Sequence, residues 1–138
     1  MKADVRQVGP ITVIDLAGKI TIGEGEVVLR ERIEELSKTR RRHLLLNLEN
    51  VSYMDSCGVA ELVACFKRTT VNGGTVKLLN PSARVRDLLR VTMLDELFEV
   101  FFDEAEAIRS FGQRRPFRFP FERPPHATFR LETQKGTP

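Results

Sequence analysis

No stretch of this chain approaches the ~18 consecutive apolar residues that a membrane-spanning helix requires. Its first residues, Met1-Lys2-Ala3-Asp4, carry no apolar segment of the kind a secretory signal needs. A cytoplasmic protein is therefore expected. Cysteine is scarce: Cys57 and Cys65 are the only two, eight positions apart in one predicted helix. At ~1.5 Å per residue their backbones stand ~12 Å apart, beyond the ~7 Å limit for a disulfide. Two isolated thiols suit a reducing compartment. Histidine is equally scarce, with His43 and His126 alone. No Cys-x-x-Cys and no paired histidines occur, so no metal site is expected. No Gly-x-x-x-x-Gly-Lys phosphate loop is present, and no cofactor is expected; Gly23-Glu24-Gly25 reads as a turn at a helix entrance. No internal repeat is visible.

The 138 residues are enough for one domain with a real core, and 41% hydrophobic with 30% charged residues is an ordinary globular balance. The net charge of +3 is unevenly placed. Residues 113–138 hold six basic and two acidic side chains, whereas the remainder holds 16 and 17. The folded body has no basic footprint, which argues against direct nucleic-acid binding.

The body alternates strand and helix signals. Val5–Val8 and Ile11–Ala17 read as strands joined at Gly9-Pro10. Leu29, Ile33 and Leu36 recur at helical spacing, with Glu26–Arg30 and Glu34–Lys38 as i,i+4 pairs and Arg40-Arg41-Arg42 closing that helix. Leu44-Leu45-Leu46-Asn47-Leu48 predicts a strand covered on both faces. Val59, Leu62, Val63 and Phe66 form the inward stripe of the next helix, stopped at Asn72-Gly73-Gly74. Val76–Leu79 predicts a strand, Pro81-Ser82 opens a helix through Leu88, Leu89 and Val91, and Val100–Phe102 is a final strand. Asp103, with Glu106 three residues on, has capping-box spacing for a last helix. The order β-β-α-β-α-β-α-β-α implies an α/β fold with a parallel or mixed sheet. After residue 112 the composition changes. Residues 113–138 hold five of the seven prolines and four of the nine phenylalanines, an irregular basic extension that is either solvated or a docking strip.

Met54-Asp55-Ser56-Cys57-Gly58 lies where a strand pattern ends and a helix begins. Ser56 stands where an N-cap belongs and is expected to accept from free amides of the first turn. With Val59 and Phe66 inward, the outward positions beside it are Cys57, Ala60, Glu61, Ala64 and Arg68, a shallow surface suited to close approach by a partner.

The segment Leu46–Val59 resembles the signature of STAS domains. More narrowly it resembles the anti-sigma-factor antagonists, whose motif reads Asp-Ser-Ser/Thr-Gly after such a strand and loop. The resemblance runs over roughly residues 4–111 and includes Gly18, the Gly73-Gly74 turn and Leu79-Asn80-Pro81-Ser82. It implies a STAS-like mixed sheet of four to five strands with helices packed against it, over residues 1–112. It further implies a partner switch with no catalysis of its own. Ser56 is then the phosphoacceptor of an anti-sigma factor that is also a serine kinase. The unphosphorylated form binds that kinase, the phosphorylated form releases it, and a serine phosphatase resets the cycle. Thr21, Asp55, Ser56, Cys57, Gly58, Ala60, Glu61 and Ala64 are the expected partner-binding residues. Three positions depart from the family pattern: Cys57 replaces a second hydroxyl residue, and Lys19 and Thr21 stand where relatives often carry acidic residues. Two rivals stand against the switch. Cys57 as a nucleophile would need a base, and neither His43 nor His126 has a reason to reach it. A non-phosphorylated STAS scaffold, a subunit of a signalling or transport assembly, would use the same surface without a switch.

Overall fold

The computed structural model describes residues 1–39 and 41–112. Arg40 and the 113–138 extension, with its docking-strip alternative, lie outside the described residues. Within them the order is β1 (Lys2–Val8), β2 (Ile11–Ile20), α1 (Gly25–Ser37), β3 (His43–Met54), α2 (Ser56–Val71), β4 (Thr75–Leu79), α3 (Ala83–Val91), α4 (Leu94–Leu97), β5 (Val100–Phe101) and α5 (Glu104–Ser110). One sheet runs in the order β1-β2-β3-β4-β5, its first pair antiparallel and the others parallel. Gly9, at φ +58°, supplies the left-handed backbone of the β1–β2 turn.

The leucine run behaves as alternation predicts for a doubly covered strand. Leu44, Leu46 and Leu48 enter the larger core beneath α1, α2 and α3, whereas Leu45 enters a smaller one beneath α5. In α1 the expected face, Leu29, Ile33 and Leu36, is the buried one. Its ion pairs are Glu26–Arg30 and Arg32–Glu35, the latter in place of the expected Glu34–Lys38. The helix ends at Ser37, so Arg41 and Arg42 lie in the connection to β3 rather than in the last turn.

Two elements differ from expectation. β3 continues six residues past Leu48, because β2 follows it through register shifts at Asp15/Ala17 and Gly18/Lys19. Those bulges break strict alternation, leaving Val51 and Met54 buried three residues apart. The short helix α4 has no sequence counterpart. Met93, at φ +63°, ends α3 and turns the chain so that Leu94 and Phe98 are buried, the latter edge-on to Phe66 at 5.2 Å.

The helix α5 is fastened to the sheet at both ends. Arg6 bridges Asp15 on β2 (2.6 Å) and Glu104 at the start of α5 (2.6 Å). Lys77 on β4 is only 4% exposed; its ammonium donates to the carbonyl (3.1 Å) and hydroxyl (2.8 Å) of Ser110. It also pairs with Glu99 at 3.2 Å and lies 4.7 Å from the Phe111 ring. The buried charge is tolerated because each of its donors has a partner.

Candidate functional site

β2 and β3 are parallel and end together, with Ile20 paired to Met54. Loops leaving the carboxyl edge of parallel strands converge, which is where α/β sheets place their sites. Here the converging segments are the β2–α1 loop (residues 21–24) and Asp55 before α2. Two glycines allow the helices to start against the strand ends. A Cβ on Gly25 would meet the Lys19 carbonyl oxygen at 2.1 Å, and one on Gly58 would meet that of Ile20 at 2.3 Å. Gly58 is thus a buried packing residue beneath the surface.

The cap of α2 is Asp55, a correction to the expectation for Ser56. Asp55 has extended backbone (φ −101°, ψ −173°), and its Oδ1 accepts from the amides of Cys57 and Gly58, both at 3.0 Å. Its Oδ2 accepts from the Ile22 amide at 3.0 Å. One carboxylate therefore joins the helix entrance to the β2–α1 loop. The amides of Ile22, Gly58 and Cys57 together hold it below the usual carboxylate range. Ser56 is the first helical residue, exposed, with no hydrogen-bond partner for its hydroxyl among the described residues.

The outward face also needs one correction. Glu61 is only 6% exposed; it turns toward α1, where its Oε1 accepts from Arg30 at 3.2 Å, and Arg30 in turn pairs with Glu26. The buried stripe of α2 is Gly58, Glu61, Leu62, Cys65, Phe66 and Thr69, while Val59 and Val63 are half-buried. Ala60 is exposed and Cys57, Ala64 and Arg68 are half-buried. The structure therefore brings Asp55, Ser56, Cys57 and Ala60 together beside Thr21, whose carbonyl accepts from the Glu26 amide at 3.1 Å. Ile22, passed over in the sequence, is 68% exposed at the loop tip. Its signal was an isoleucine among glycines, where a core position is implausible.

The two thiols diverge. Cys65 is buried, and desolvation pushes it up to about 12. Cys57 is half-buried beside Ser56. His43 stands at the opposite end of β3 against Phe111 (6.0 Å), so it offers no base to Cys57; His126 lies outside the described residues. Among the described residues no group of three or more His, Cys, Asp or Glu could hold a metal ion, and no helix is long and apolar enough to cross a membrane.

Residues 2–107 match the STAS domain family model. The anti-sigma-B factor antagonist of Bacillus subtilis (strain 168) is 33% identical over 100 residues, covering 72% of this chain and 90% of the relative. Among solved structures, an anti-sigma-factor antagonist (STAS) domain protein from Planctomyces limnophilus superposes with TM-score 0.72 at 22% identity, covering 80% of this chain and 98% of that one. SpoIIAA, a Bacillus cell fate determinant and anti-sigma factor antagonist, has been solved unphosphorylated and phosphorylated. The two forms give TM-scores of 0.69 and 0.62 at 23% identity, covering 83% and 78% of this chain and 100% and 98% of theirs. With its five-stranded sheet and Asp55-Ser56 junction in place, the chain belongs to the STAS domain family, and within it to the anti-sigma factor antagonists.

Proposed function

We propose that this chain is a partner switch whose phosphoacceptor is Ser56. Unphosphorylated, it binds an anti-sigma factor that is also a serine kinase; phosphorylated, it releases that partner, and a serine phosphatase restores binding. The observation that carries the reading is the division of labour between neighbours. Asp55 performs the capping, so the exposed Ser56 hydroxyl has no structural duty and is free to enter a kinase active site. The neighbour SpoIIAA, solved in both phosphorylation states, supports the same reading.

Phosphate on Ser56 adds a charge of about −1.5 to −2. The amides of Cys57 and Gly58 already serve Asp55, so the phosphate gains little from the helix end and meets an adjacent carboxylate. The fold changes little. Across an interface the same charge, set against like charge, costs several kcal/mol, and a near-complete switch needs about 5.5 kcal/mol of differential binding. The contact surface comprises Thr21, Asp55, Ser56, Cys57, Ala60 and Ala64, with Gly58 and Glu61 shaping it from beneath. Residues 1–112 form the binding module and 113–138 a separate extension.

The test pairs the chain with its cognate anti-sigma kinase and ATP. Mass spectrometry should place one phosphate on Ser56, Ser56→Ala should remain bound, and Ala64→Arg should weaken the complex. A phosphorylated chain that binds as tightly as the unmodified one would overturn the switch and favour a plain scaffold.

A further inference from the structure

At the pole opposite Ser56, the ends of α1 and α2 and the start of β3 line an open cavity of about 200 Å³. Twelve helical residues, ~18 Å at 1.5 Å each, separate Arg68 in its wall from Ser56. Among the described residues the wall carries three arginines, Arg41, Arg42 and Arg68, and no Asp or Glu. By contrast Arg6, Arg30, Arg32 and Arg90 are each paired with an acid. None of the three cavity arginines has an acidic partner among the described residues.

Arg68 is the decisive member. Its Nη1 is shielded from solvent and donates to nothing among the described residues. A desolvated charged donor without an acceptor is costly, and native proteins seldom keep one unless something fills the gap. Arg42 reaches toward the same end of α2, its Nη1 standing 3.9 Å from where a Cβ on Gly73 would lie. The Thr39 hydroxyl accepts from the Arg41 amide at 3.2 Å and fixes the backbone that carries that arginine. Compensation of the α1 and α2 carbonyl ends explains some positive charge here. It requires neither a concave, acid-free wall nor a guanidinium nitrogen hidden from water.

We propose that this cavity binds a phosphate dianion, either free or as the terminal group of a phosphomonoester. Arg68 is the inner donor, and Arg41 and Arg42 close over the anion from the rim. Planar guanidinium forks match the oxygens of such an anion. The site is independent of Ser56 and of the switch proposed there.

The experiment titrates inorganic phosphate into the full chain at constant ionic strength, reading backbone amide shifts and thermal unfolding. Saturable shifts are expected at Thr39, Arg41, Asn72 and Gly73 and none at Ser56. At ten times the Kd the apparent unfolding constant should fall about elevenfold. Arg68→Gln should weaken binding about tenfold or more, the loss of one charge-assisted hydrogen bond. Arg42→Gln, at an exposed position that does not threaten the core, should also weaken it. A parallel arm with glycerol 3-phosphate separates the two sources: tighter binding assigns a phosphomonoester, equal binding free phosphate. Shifts that fail to saturate, or binding that both arginine variants leave unchanged, would overturn the proposal.

Discussion

Replacing a helical glycine by alanine ordinarily stabilises a protein by about 1 kcal/mol. At Gly58 the sign should reverse. The new Cβ would lie 2.3 Å from the Ile20 carbonyl oxygen and 2.6 Å from Met54 Cγ, whereas real Cβ atoms essentially never come within 3.0 Å. The methionine end can swing aside, but the carbonyl belongs to the backbone at the end of β2 and accepts from the Asp55 amide at 3.3 Å. The first turn of α2 must therefore retreat from the strand by about the 0.7 Å between 2.3 and 3.0 Å. Overpacking of this kind costs about 1–3 kcal/mol. Against the propensity gain of about 1 kcal/mol, a net loss of up to about 2 kcal/mol remains in Gly58→Ala. Urea unfolding reads it as a lowered midpoint at unchanged slope. Ala60→Gly, on the exposed face of the same turn, supplies the control and should lose about 1 kcal/mol from propensity alone. A Gly58→Ala protein as stable as the parent would refute the argument that this glycine exists for close approach.

Ser56→Ala should change unfolding free energy by less than about 0.5 kcal/mol, since the cap is Asp55; a loss above 1 kcal/mol would return the capping role to Ser56. An Ellman-type reagent at about pH 8 should titrate one thiol in the native chain, Cys57, and two after denaturation, because Cys65 is buried and its thiol pushed up to about 12. Asp55, Asp15 and Glu104 are held below the ordinary carboxylate range by the Ile22, Gly58 and Cys57 amides for the first and by Arg6 for the others. Their contribution is present above the unfolded value near 4 and is lost as pH falls through their lowered folded values. Acid unfolding followed by circular dichroism should therefore begin below about pH 4, and Asp55→Asn should flatten that limb. Lys77→Ala should cost about 2–3 kcal/mol, from a lost buried stem and the lost donor to the Ser110 carbonyl and hydroxyl, and should open α5 amides to hydrogen exchange before the rest.

The larger elements were legible because their periodicities are clean: Leu29, Ile33 and Leu36 on α1, and Leu44 to Leu48 on β3. The cap of α2 was not. Asp55 and Ser56 are both good cap residues, and the choice depends on where Gly58 must sit against Ile20, a tertiary contact. Glu61 reads as outward in the sequence because the apolar residues of α2 suggest a single covered side. The helix is in fact covered by the sheet and by α1, so a carboxylate matched to Arg30 belongs to its buried face. The later half of β3 is hard to see in the sequence because its own bulges against β2 disturb the alternation on which strand assignment rests. The short α4 depends on a left-handed Met93, a conformation that nothing in the methionine side chain announces.

The double fastening of α5 bears on how the chain can be wired into something larger. Lys77 pins Ser110, and Phe111 stacks edge-on to His43 at the start of β3, so the backbone leaves the described domain at a fixed address. From there to the far end of β3, beside Ser56, is roughly 35 Å at ~3.3 Å per residue. A reporter or tether joined after Gly112 would begin at the rear of the molecule and leave the Ser56 surface clear for a docking partner.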